Sequence, residues 1–177
     1  MHTPNENLNS KINKLENLFK EGNMSIVIPQ AIALIKEYNS GIACNILALA
    51  NKRLGNYVLA QRIYEGLLTS NPENTLFLGN LGNIYTEIGR LEKAEECFTK
   101  ALTIQPKQLN ISVSLGNILA STGRLDDALV NFHTILKVHD EITPDQVDDI
   151  NYRIAEIYRQ KGAPFLDKAI QHYKLSN

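Results

Sequence analysis

Tryptophan is absent, and Cys44 and Cys97 are the only cysteines among 177 residues. With no CxxC or metal spacing between them, a zinc ribbon is excluded and a bridge is not expected. Two thiols so placed suit a reducing, intracellular compartment, here taken as cytoplasmic, in which both act as small buried hydrophobes. An excess of one charge is lacking too: 18 Lys and Arg against 19 Asp and Glu leave a net charge of −1. The chain therefore carries no global electrostatic footprint for nucleic acid or an anionic membrane. No apolar run approaches the roughly 18 residues that a membrane span needs. The opening "MHTPNENLNSKINK" has no apolar core of a secretory signal.

What is present is 44% hydrophobic residues, enough to bury a core, and an arrangement that repeats. In "LGNIYTEIGRLEKAEECFTKALTIQP", from Leu81 to Pro106, a Gly interrupts an apolar helical stripe, where it costs about 1 kcal/mol relative to Ala. Leu81 recurs 34 residues later as Leu115 and 34 earlier as Leu47. Gly82 becomes Gly116 and Ala48, and Gly89 becomes Gly123 and Gly55. Ala94 becomes Ala128 and Ala60, Phe98 becomes Phe132 and Tyr64, and Pro106 becomes Pro72. A looser copy starts near Asp148 with Ala155, Tyr158, Gly162, Ala169 and Tyr173, its Gly-to-Ala spacing longer by two residues.

This resembles the tetratricopeptide repeat, with its period of about 34 residues and its pattern W-x2-L-G-x2-Y…A-x3-F…P. The copy at 75–108 matches nearly every element, with Leu78 in place of the Trp. The copy at 41–74 has Asn51 where the Tyr belongs, and the copy at 109–142 has Ser112 and Leu119 at the two aromatic places. The resemblance implies an all-α fold, a right-handed α-solenoid of stacked antiparallel helical hairpins. Residues 1–40 would form a tail and a degenerate capping hairpin, followed by four hairpins at 41–74, 75–108, 109–142 and 148–177.

Apolar positions three and four apart mark the helix faces, and Gly89 and its equivalents mark where first helices stop. The small series Ala48, Gly82, Gly116, Ala155 and the series Ala60, Ala94, Ala128, Ala169 predict close helix–helix approach. Tyr64, Phe98, Phe132 and Tyr173 would fill the space between hairpins. Thr143-Pro144 reads as the start of a long helix to Lys161. Pro29 is expected to open the second helix of the capping hairpin. The last helix carries Leu166, Ile170 and Tyr173 on one stripe, which predicts a continuing chain, a partner, or self-association through this helix.

No chemistry is apparent. The four histidines stand singly, and HExxH, GxSxG and Gly-rich phosphate loops are absent. "DQVDD" reads as an acidic helix start that the dipole stabilises, not as a cation site. The expectation is no catalytic residue, no cofactor and no metal.

By the family's register, the first helices line a concave groove that holds an extended peptide. Asn45, Leu49 and Lys52 would project there, then Gly79, Asn80 and Asn83, then Asn117, then Tyr152, Arg153 and Glu156. A side-chain amide offers a donor and an acceptor that match a peptide unit, so Asn83 and Asn117 could grip a backbone without reading its sequence. The alternative is that an Asn-rich chain simply tolerates Asn on a solvated groove. A carboxylate clamp for an acidic C-terminus is poorly matched, since Asn45, Gly79 and Val113 supply no lysine.

The resemblance thus implies a non-catalytic scaffold that binds a protein or peptide, with no nucleic acid or membrane partner. The competing reading is the N-terminal repeat module of a larger glycosyltransferase, sulfotransferase or oxygenase. RNA binding by a pentatricopeptide-like array is a third, and the neutral charge balance argues against it.

Overall fold

The computed structural model describes residues 4–138 and 142–176, with side chains from residue 8 onward. Among the described residues there are ten α-helices and no strand. They fall into two compact units, Met1–Arg90 and Leu91–Asn177. The first holds α1 (Pro4–Lys20), α2 (Met24–Tyr38), α3 (Gly41–Arg53), α4 (Tyr57–Ser70) and α5 (Thr75–Glu87). The second holds α6 (Leu91–Ile104), α7 (Leu109–Ser121), α8 (Leu125–Val138), α9 (Pro144–Lys161) and α10 (Leu166–Leu175). Within each unit every helix packs against its neighbours in sequence. That is the pattern of stacked hairpins in an all-α helical-repeat fold.

Local chemistry fixes the helix ends. Ser40 and Asn74 accept the N–H groups of Ala43 and Phe77 at 3.2 and 3.1 Å, so α3 and α5 begin on side-chain caps. At α9 the Thr143 hydroxyl accepts from Gln146 N–H, while Gln146 Oε1 accepts from Thr143 N–H at 2.9 Å, a reciprocal capping box.

The repeated glycines act at the other end. Arg124 N–H donates to Leu119 O at 2.9 Å and Gly123 N–H to Ala120 O at 3.1 Å, with Gly123 at φ +79°. The same pair of bonds recurs around Gly22, Gly55 and Gly89. These are Schellman turns, and a Cβ disfavours their left-handed residue. A Cβ at Gly123 would meet nothing within 4 Å, so only the backbone resists it. Gly123→Ala is therefore expected to cost about 1–2 kcal/mol, and Gly123→Asn less, as read by urea denaturation.

In the first unit Leu15, Val27, Ala31, Ala43 and Ala50 are fully buried in one cluster that joins α1, α2 and α3. In the second, Phe132 of α8 and Ile150, Ile154 and Ile157 of α9 form the core with Leu119 of α7. The two small-residue series are buried throughout. At Gly116 the reason is visible: a Cβ there would lie 2.6 Å from Phe132 Cζ. Tyr64, Phe98 and Phe132 are fully buried, whereas Tyr173 remains half-exposed.

Two expectations need correction. Pro29 does not open α2 but lies inside it, because Met24, Val27, Ala31 and Leu34 form a buried stripe that begins before the proline. Burial along that stripe outweighs the one backbone hydrogen bond that a proline removes. Cys44 and Cys97 are half-buried, not buried. The extra residues after Gly162 form a 3-10 turn, Ala163–Phe165, which lays Phe165 on Tyr158 with ring centroids 6.1 Å apart.

Candidate functional site

In the second unit, the exposed sides of α7 and α9 face one another across two clefts. One, of about 430 Å³, lies among Leu109, Asn110, Val113, Ser114, Asp145, Gln146, Asp149 and Ile150. The other, of about 660 Å³, is lined by Asn117, Ala120, Ser121, Tyr152, Arg153, Glu156 and Gln160. The buried Phe132 and Ile157 lie beneath it. Helical spacing places these residues together: Asp149, Arg153, Glu156 and Gln160 are three or four apart on α9.

Arg153 organises this wall. Its Nε donates to Asp149 Oδ2 at 2.8 Å and its Nη2 to Asp149 Oδ1 at 3.1 Å. Its Nη1 reaches across to α7 and donates to Asn117 Oδ1 at 2.7 Å. A planar guanidinium held on three acceptors is fixed in place, and the Asn117 amide N–H2 is thereby oriented.

Glu156 accepts from Arg159 Nη2 at 2.7 Å and from the Tyr173 hydroxyl. These two partners, Arg159 first, hold its carboxyl below the usual range, and the Glu156 charge in turn raises the Tyr173 phenol. Tyr152 is 52% exposed, with its ring 5.8 Å from that of Tyr173. On its far side is a third cleft of about 530 Å³, lined by Asp148, Asp149, Tyr152, Tyr173 and Ser176.

The first unit treats its asparagines differently. Asn45 Oδ1 accepts both the Tyr64 hydroxyl at 2.8 Å and Asn80 Nδ2 at 3.3 Å. The three side chains tie α3, α4 and α5 together. Burial pushes the Tyr64 phenol well above its ordinary range, with hydrogen bonding from Asn80 opposing the shift. Leu49, Lys52 and Asn83 are half-buried on α3 and α5. Gly79, expected in the groove, is buried instead. Asn51, which stands where the family has Tyr, is also buried and donates to Leu47 O at 2.8 Å, turned to its own helix.

Sequence reasoning missed Asp148, Ser121 and Gln160, although Asp148 lies one turn from Tyr152 and so shares its face. It also left every histidine single. His2 and His139 lie outside the described side chains, but His133 and His172 meet with ring centroids 5.7 Å apart. Among the described residues no group of three His, Cys, Asp or Glu is placed to hold a metal ion. No described helix is long and apolar enough to cross a membrane. The outer side of α10 exposes Leu166, Ile170 and Leu175.

The tetratricopeptide repeat family model matches residues 76–108, the copy that fits the pattern best. That segment is a tetratricopeptide repeat. No curated protein matches it in sequence. Among solved structures, MamA from Desulfovibrio magneticus RS-1 is similar, with a TM-score of 0.80 at 13% identity over 94% of this chain and 91% of that one. MamA AMB-1 gives 0.78 at 21% identity, covering 94% of this chain and 95% of that one. PilF of Pseudomonas aeruginosa gives 0.78 at 18% identity, covering 98% and 78%. At such identities the likeness shows the fold alone, an all-α helical-repeat fold.

Proposed function

We propose that this tetratricopeptide-repeat chain is a non-catalytic scaffold that holds an extended polypeptide segment along its first-helix faces. The observation that carries the reading is the cleft between α7 and α9. An Arg153–Asp149–Asn117 hydrogen-bond bridge sets its wall, and half-exposed Tyr152 stands at its edge. A peptide strand needs donors, acceptors and apolar contact, and Asn117, Gln160, Ser121 and the half-buried Ala120 offer these together. Asn83 is the corresponding amide on α5 in the other unit.

Panning a random peptide library on the intact chain tests this. Selected peptides are expected to shift the amide resonances of α7 and α9. Binding should weaken about tenfold in the Asn83→Ala/Asn117→Ala variant, the loss of a few neutral hydrogen bonds. Shifts confined to α4, α6 or α8, or unchanged affinity in that variant, would show the groove assignment to be wrong.

A further inference from the structure

We infer that the second unit's groove selects a basic segment, one Arg or Lys side chain of which lies on Tyr152 beside Asp148. This rests on the peptide-groove reading and names the chemistry of its ligand. The charges on the two groove helices are uneven. α7 carries no charged residue, and α9 brings Asp145, Asp148, Asp149 and Glu156.

The cations of α9 are already engaged. Arg153 is taken up by Asp149 and Asn117, Arg159 by Glu156, and Lys161 by Asp126 of α8. Both guanidiniums of α9 are thus already paired with carboxylates. No described residue forms an ion pair with Asp145 or Asp148, so two carboxylates remain unmatched at the cleft mouths.

The helix dipole steadies Asp145 in the first turn of α9, which alone makes no site. Tyr152 is what turns the charge into a place. Its half-exposed ring divides the 530 Å³ cleft, where Asp148 sits, from the 660 Å³ cleft, where Asn117 and Glu156 sit. A guanidinium or ammonium against that ring gains from the ring's negative face and from Asp148 together. The segment's backbone would then continue past Asn117.

The test uses the intact chain and three labelled peptides of equal length that alternate Ser with Arg, Asn or Glu. Fluorescence anisotropy is expected to rank them Arg above Asn above Glu. Asp148→Asn and Tyr152→Ala should each weaken the Arg peptide about threefold, and together about tenfold, with the thermal melt unchanged. Arg-peptide affinity that ignores both substitutions would mark diffuse charge attraction and overturn the inference. Equal binding of the Arg and Asn peptides, both lost in Asn117→Ala, would overturn the basic preference and leave the groove standing. Failure of the Arg peptide to bind while library-selected peptides still map to α7 and α9 would do the same.

Discussion

Phe132→Ala is expected to destabilise the protein by about 3–5 kcal/mol in urea denaturation, the usual cost of emptying a fully buried aromatic site. The ring has 0% exposure and packs within the cluster that joins α7, α8 and α9. It also lies beneath the 660 Å³ cleft, so its removal should loosen the groove as well as the core. Gly116 is the other half of this contact, because a Cβ there would sit 2.6 Å from Phe132 Cζ and 2.9 Å from Cε1. Gly116→Ala should cost about 1–3 kcal/mol by overpacking.

The two effects are coupled, and the coupling is the sharper measurement. In a Phe132→Leu background the clashing ring atoms are gone, so Gly116→Ala should cost less than in the parent. A cycle energy of about 1 kcal/mol or more is expected for side chains in such contact. Part of the cost should persist, since Asn131 Oδ1 would lie 2.8 Å from the same Cβ. That oxygen is buried without a hydrogen-bond partner among the described residues. Additive costs would mean that the missing side chain does not set the helix spacing here.

This contact was legible in the sequence because small and aromatic residues recur at a fixed period, and a period reports packing. The helix start at Thr143 and the stops at Gly55, Gly89 and Gly123 were also legible, each resting on local chemistry. Pro29 was misread because a rule about one residue was set above the apolar spacing around it.

The groove was legible as a face and not as a set of bonds. Asn45 is claimed by Tyr64 and Asn80, 19 and 35 residues away, and Asn117 by Arg153, 36 away. Equivalent repeat positions say which residues share a wall. They do not say which acceptor a neighbouring helix will take. The charge inference has the same origin, since only the observed pairing of Arg153 and Arg159 shows which carboxylates remain.

The least legible feature is the histidine pair, and it leads to the second large effect. His172 of α10 lies 5.7 Å from His133 of α8 and stacks on Tyr158 of α9 at 5.8 Å. Its Nδ1 is 3.1 Å from Asn151 Oδ1, and Asn151 is only 5% exposed. An amide oxygen there fixes the proton on Nδ1, so acid adds its proton at Nε2 and leaves this bond intact.

What acid changes is charge. Burial lowers the His133 pKa and Lys137 lowers it further; burial lowers that of His172, with His133 adding to it. Both native pKa values lie below the unfolded value of about 6.5, so the unfolded chain binds more protons once pH falls through that value. The stabilisation is complete above about 6.5 and is lost as pH drops through the depressed native values.

The loss should fall first on α10, whose described residues include only one that is buried, Ala169. Hydrogen exchange at pH 7.5 and pH 5 is expected to show α10 losing protection in acid while α7 and α8 keep theirs. A His133→Gln/His172→Gln variant should flatten that dependence, because neither amide can take up a proton. Acid loosening of α10 that is undiminished in the double variant would place the sensitivity elsewhere, with the Glu156–Tyr173 contact the next to examine. That carboxylate is held below its usual range, so it would respond only at a lower pH, and the two origins separate on the pH axis.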